Sequence, residues 1–186
     1  RVRRISDELC IPVAILLDTK RHTCQYTPLK LGDYSIVITN SMVKHTLVRP
    51  TIETRYRECQ AALKKIQTVM NVDSLCALSV DQFNSVKDVI MDETLTRRAR
   101  HAVYESQRTI QAVSALRAKN LARFGALMTA SHESLRDDYE ISCDEINLLV
   151  DLALQIPGVL GSRITGAGFG GCTVSIVKKD AISELS

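Results

Sequence analysis

Four glycines stand within six residues near the C-terminal end of the chain, in Gly166-Ala-Gly-Phe-Gly-Gly171, and they are half of the eight in the sequence. Glycine takes positive φ without steric penalty and lets a backbone or a phosphate approach closely. Apolar, strand-like residues flank the run, Val159-Leu160 before it and Thr173 to Val177 after it. A hairpin turn needs one or two glycines, so a turn alone leaves the others unexplained. From the residues alone two readings stay open: a tightly packed structural turn, or a polar loop held against an anion-binding loop in a nucleotide-dependent enzyme.

The elements that must position this loop are legible from hydrophobic period. Val13 to Leu17 is a buried-type strand, and Tyr34 to Thr39 is a second. The period then becomes helical: Ile52, Tyr56, Cys59, Leu63, Ile66 and Met70 recur at three- and four-residue spacing. Ser79-Val-Asp-Gln82 is a capping box for a short helix. The longest helical pattern runs from about Thr94 to Lys119, with a core stripe that includes Val103 and Ile110. Asn120 caps a further helix, and Ser142-Cys-Asp-Glu145 has the form of a second capping box. Two strands, a block of helices and two strands around a glycine loop predict an α+β fold, with helices packed on one side of a small, mainly antiparallel sheet.

Composition narrows the function classes. The 186 residues suit one domain, or one domain plus a fragment of another. The net charge is only +3, with 24 basic residues interspersed among 21 acidic ones. The densest basic cluster, Arg97-Arg-Ala-Arg-His101, falls in a helical pattern and reads as a solvated helix face, so no nucleic-acid partner is expected. The six cysteines form no Cys-x-x-Cys pair and no His lies at ligand spacing, so free thiols in a reducing cytoplasm are expected, with no metal held by them. No apolar stretch approaches the roughly 20 residues of a bilayer span, and no membrane partner is expected.

Taken together, the segments resemble the C-terminal half of galactokinase, a family within the small-molecule kinase superfamily. The resemblance runs from about Val13 to Val177. It is carried by Leu16-Leu-Asp18, Ile38-Thr-Asn-Ser-Met-Val-Lys-His-Thr-Leu47, Arg97 to His101, Ser131-His-Glu-Ser-Leu-Arg-Asp-Asp-Tyr-Glu140, Ser142 to Glu145, and Ser162-Arg-Ile-Thr-Gly-Ala-Gly-Phe-Gly-Gly-Cys-Thr173. It implies ATP-dependent, Mg²⁺-assisted phosphorylation of galactose at its C1 hydroxyl, in a cleft between two domains. It also implies that the phosphate loop, the Mg²⁺ ligand and part of the sugar site belong to an N-terminal half, the partner of this one. On that basis residues 1–20 are expected to be a remnant of the N-terminal catalytic half and 21–186 the C-terminal kinase domain, cut short at its end and inactive alone.

The resemblance also assigns residues. Gly166, Gly168, Gly170 and Gly171 correspond to a loop that supports the phosphate loop. Lys44 matches a basic residue, often arginine, near the reacting groups, and is the candidate catalytic residue; His45 is expected to be a structural partner. The family's catalytic aspartate sits in a Met-Asp-Gln-like segment upstream of the first strand, where ungapped counting lands on Val2, with Asp7 out of register. Asp18 is then a strand-end or turn residue. A family tyrosine that contacts the sugar falls on Ile52, with Tyr56 one helical turn later. Isoleucine has no hydroxyl, so a sugar sensor without turnover, or a kinase for a related sugar such as N-acetylgalactosamine, stands as the alternative. His132, Arg136, Asp137 and Asp138 are expected to pack and hydrogen-bond behind the cleft.

Overall fold

A computed structural model describes residues 12–43 and 48–185. Strands β1 (Val13–Asp18) and β2 (Thr23–Pro28) form an antiparallel hairpin of their own. Strand β3 (Tyr34–Asn40) leads to five helices: α1 (Val48–Ile66), α2 (Val80–Val86), α3 (Glu93–Arg117), α4 (Leu121–Asp137) and α5 (Asp144–Gln155). Strands β4 (Val159–Thr165) and β5 (Cys172–Lys178) then complete a three-stranded antiparallel sheet of order β3-β5-β4. The expected α+β class and antiparallel sheet are what the structure has.

Local signals set most helix starts. Ser79 Oγ accepts from Gln82 N at 3.1 Å while Gln82 Oε1 accepts from Ser79 N at 2.9 Å, a reciprocal capping box at α2. Asp92 Oδ1 accepts from Leu95 N at 2.8 Å to open α3, and Asn120 Oδ1 from Arg123 N at 2.9 Å to open α4. The second box is corrected. The N-cap of α5 is Cys143, one residue later than Ser142, and it makes no side-chain cap; the Ser142 hydroxyl instead donates to Asn147 Oδ1 at 2.7 Å.

Two cores result. Leu63, Ile66, Leu78, Phe83, Ala99 and Val103 bury the inner faces of α1 to α3 together, and Leu135, Ile141, Ile146 and Ile164 join α4 and α5 to the sheet. Two expectations about α3 are corrected here. Ile110 is 53% exposed, not core, whereas Ala99, Val103, Ala115 and Leu116 of the same 25-residue helix are buried. The Arg97 to His101 cluster is no solvated face, for Arg98 is 2% exposed and His101 is buried.

Helix α4 also closes the edge of the sheet. The N–H groups of Ser162 and Ile164 on edge strand β4 donate to Thr129 Oγ1 and His132 Nδ1 of α4, both at 3.4 Å. Burial, then the nearby Arg136 charge, push the His132 pKa down and favour the neutral ring whose Nδ1 can accept. The approach is close enough that a Cβ on Gly125 of α4 would overlap the Leu160 backbone, and one on Gly161 of β4 would overlap Gly125. Gly125→Ala should therefore destabilise by at least the 1–3 kcal/mol usual for overpacking. At about 2–4 °C per kcal/mol for a domain of this size, the thermal midpoint should fall by several degrees; an unchanged melt would contradict this packing.

Candidate functional site

The glycine run connects β4 to β5, and five of its six residues, Gly166, Gly168, Phe169, Gly170 and Gly171, have φ between 61° and 133°. Two neighbouring backbones press on it. A Cβ on Gly168 would lie 2.5 Å from Ile141 O, and one on Gly170 would lie 3.0 Å from Val43 O. The first contact is closer than real Cβ atoms come, so Gly168 needs glycine for both space and dihedral; the second is only tight, and Gly170 needs glycine chiefly for its φ of 133°. Gly166 differs: a Cβ there would meet nothing within 4 Å. Gly166 is also among the residues lining a cavity of ≈ 400 Å³ between the Ile36, Val174 and Ile176 face of the sheet and Leu127, Met128 and Arg108 of the helices.

Hydrogen bonds seat the loop at its middle and at its C-terminal end. Phe169 N donates to Ile141 O at 2.6 Å, and Ser41 N donates to Gly171 O at 2.8 Å. The β3 exit is itself shaped by side chains, since Asn40 Oδ1 accepts from Met42 N and Ser41 Oγ from Val43 N. Lys44 and His45 lie outside the described residues, as do Val2 and Asp7. Val43, the last described residue before Lys44, is the one whose carbonyl faces Gly170.

The other sequence candidates are spread apart. Asp18 ends β1 and its carboxylate accepts from Lys20 N and Arg21 N at 3.0 and 2.9 Å, a turn role. Ile52 and Tyr56 are 42% and 64% exposed on α1, whereas Leu63 and Ile66 of the same stripe are core. The helix therefore leaves the core over its first turns and presents these two side chains outward. Asp138 accepts from Arg100 and from Ser134.

Sequence reasoning missed the group that holds this region. Arg98, on α3, donates from Nη2 to Glu140 Oε2 at 2.6 Å, from Nη1 to Asp138 O at 2.5 Å and from Nε to Glu58 Oε2 at 2.7 Å. Arg97 Nη1 pairs with Glu140 Oε1 at 2.7 Å, and Arg55 Nε donates to Tyr139 O at 2.7 Å. The Arg98 hydrogen bond, partly opposed by desolvation, holds the Glu140 carboxyl below its ordinary range. Beside the network, the His101 ring stacks on Tyr139 with centroids 4.5 Å apart, and its Nδ1 lies 2.9 Å from Ser134 Oγ.

Among the described residues no group of three or more His, Cys, Asp and Glu side chains could hold a metal ion, and no helix is long and apolar enough to cross a membrane. The described cysteines are free thiols; burial pushes the pKa values of Cys59, Cys76 and Cys143 up, which favours the thiol over the nucleophilic thiolate.

Burial lowers the His101 pKa from 6.5 to about 4. A folded-state value below the unfolded one gives stability that is complete above pH 6.5 and is lost as pH falls towards 4. His101→Gln should flatten the stability profile across that window by up to one proton, about 1.4 kcal/mol per pH unit. Urea melts of both forms from pH 7 to pH 4 measure it, and parallel profiles would show that His101 does not titrate as described.

Comparison with known proteins bears on the same region. Residues 112–186 match the family model described as GHMP kinases C terminal. Over 172 residues, 92% of the chain, it is 52% identical to a galactokinase of Clostridium acetobutylicum and 48% to one of Lactiplantibacillus plantarum, covering 44% of each. The chain thus spans less than half the length of these relatives. The crystal structure of Lactococcus lactis galactokinase complexed with galactose superposes with a TM-score of 0.90 at 44% identity, over 94% of this chain and 45% of that one. L. major mevalonate kinase shares the fold at a TM-score of 0.55 and 19% identity, over 93% of this chain and 43% of that one. The chain is thus similar over 92% of its length to the C-terminal part of galactokinases, and its last 75 residues match the C-terminal domain model of the GHMP kinases.

Proposed function

We propose that this chain is the C-terminal part of a cytoplasmic galactokinase that transfers the γ-phosphoryl group of ATP to the C1 hydroxyl of galactose. The observation that carries the proposal is the superposition on a galactokinase complexed with galactose, at a TM-score of 0.90 across 94% of the chain. Division near residue 20, with the preceding residues belonging to an N-terminal catalytic half, is part of the same proposal.

Phosphoryl transfer is chiefly positioning and stabilisation of charge on the transferred group's oxygens. In this proposal the glycine loop supplies a rigid backbone wall beside the phosphate loop of the N-terminal half. Gly166, whose Cβ direction is open, is the position at which that half or a phosphate could approach. In the same proposal Lys44, matching a family basic residue near the reacting groups, contributes a compact positive charge. Mg²⁺, when bound, would neutralise the nucleotide phosphates; the described residues offer no cluster of acids for it, and the proposal assigns its ligands to the N-terminal half.

A second proposal, a galactose sensor or a kinase for N-acetylgalactosamine, is favoured by Ile52, which is exposed and has no hydroxyl for a sugar. A coupled ADP-release assay on the full-length natural protein separates these. Galactose should turn over at roughly 1–100 s⁻¹, as kinases do. Galactose binding without ADP release would establish the sensor, and preferential turnover of N-acetylgalactosamine the related kinase. Ile52→Tyr should lower the KM for galactose about two- to tenfold, the equivalent of one neutral hydrogen bond of about 0.5–1.5 kcal/mol. An unchanged KM would mean that this position does not face the sugar.

A further inference from the structure

We infer that Arg98 and Glu140 are positioning residues for phosphoryl transfer: their ion pair sets the α4–α5 connection so that the carbonyl of Ile141 seats the glycine loop. The inference rests on the proposal that this loop serves the reaction. Neither side chain touches the loop, and each acts through backbone.

The chain of contacts is short. The guanidinium of Arg98 is 2% exposed and grips the connection at both Asp138 O and the Glu140 carboxylate, while its third donor ties it to Glu58 on α1. Arg97 takes the other oxygen of Glu140, and Arg55 Nη2 donates to the Glu140 carbonyl at 3.3 Å. Glu140 is held at φ 53°, left-handed backbone that a glutamate adopts only where its surroundings over-determine it. The next carbonyl, that of Ile141, accepts from Phe169 N at 2.6 Å. Phe169 is itself left-handed at φ 61°, and Gly168 lies against the same carbonyl oxygen. One strained residue therefore leads directly into the atom on which the second depends.

Stability is not a sufficient account of this network. An ion pair on a buried guanidinium adds little net stability over well-packed apolar residues, since desolvation of the arginine offsets its attraction to the more exposed carboxylate. What a guanidinium adds is direction: its planar fork donates along set axes, which lysine, a single rotatable charge, cannot reproduce. A residue retained for packing should tolerate Lys in proportion to its effect on folding. A positioning residue should lose turnover in molecules that remain folded.

The test compares the full-length natural protein with its Arg98→Lys and Glu140→Gln variants, reading kcat, KM for galactose and for ATP, thermal midpoint, and hydrogen exchange at the Phe169 amide. Arg98→Lys should lower kcat by about tenfold or more, since misplacement of a positioning element by an ångström can cost a hundredfold. Its KM for galactose should stay within about twofold, the signature of an interaction expressed at the transition state alone. Exchange at Phe169 should accelerate by about tenfold as the seat loosens. Glu140→Gln, at a half-exposed carboxylate, should move all three readouts the same way by less, and it decides the matter if Arg98→Lys does not fold. Unchanged exchange and kcat in folded variants, or a loss of kcat no larger than the unfolded fraction, would overturn the inference. If the wild-type protein phosphorylates no sugar, the functional proposal fails, while exchange at Phe169 still decides whether the ion pair seats the loop.

Discussion

The carboxylate of Glu140 lies within ion-pair distance of three arginines, Arg98, Arg97 and Arg55, drawn from two helices distant in sequence. Around that charge the α4–α5 connection has little freedom. Its carbonyls at Asp138, Tyr139 and Glu140 all accept from the same guanidinium groups, so the backbone is fixed at successive residues. A multiply gripped connection can hold a left-handed glutamate, at a cost of order 1–3 kcal/mol, because the penalty falls on one residue while the bonds are spread over several. The chain then delivers Ile141 both into the core between α4, α5 and the sheet and, through its carbonyl, onto the glycine loop.

A second constraint fixes the sheet against the helices. The edge strand β4 presents N–H groups that would otherwise be open to pairing with another chain. Helix α4 answers them with Thr129 and the neutral His132, and the paired absence of side chains at Gly125 and Gly161 lets it come near enough to do so. Together the two constraints place the loop's ends: β4 is held by α4 at one side, and β3 and the α4–α5 connection press on the loop's middle through Val43 and Ile141.

What was legible in the sequence follows from how local each signal is. The glycine run announces itself because positive φ is a property of single residues. The Ser79 box and the Asn120 cap lie within four residues of what they bond. Most failures are non-local. Ser142, by contrast, has the spacing of a cap, but the helix begins one residue later, with Cys143 as its N-cap, and the Ser142 hydroxyl bonds Asn147. Strand β2 shows no apolar alternation, because it buries little beyond Thr27 and relies on its pairing with β1. A run of arginines reads as solvated until its partners are known, and those of Arg98 lie 40 and 42 residues away. The candidate site divides the same way: Gly168 and Gly170 have visible backbone reasons to be glycine, Gly166 has an open side, and Lys44 lies outside the described residues.

The central claim is that the glycine loop must hold one backbone shape against Ile141 for phosphoryl transfer to proceed. The most direct measurement is steady-state turnover of galactose by full-length Gly168→Ala protein, set beside its thermal midpoint. A methyl group at this position would lie 2.5 Å from the Ile141 carbonyl oxygen and must push the loop off its seat. The account predicts kcat lower by about an order of magnitude or more in protein that still melts cooperatively, as a small displacement of a positioning element requires. Wild-type turnover in the substituted protein would contradict it and leave the glycines with a packing role alone.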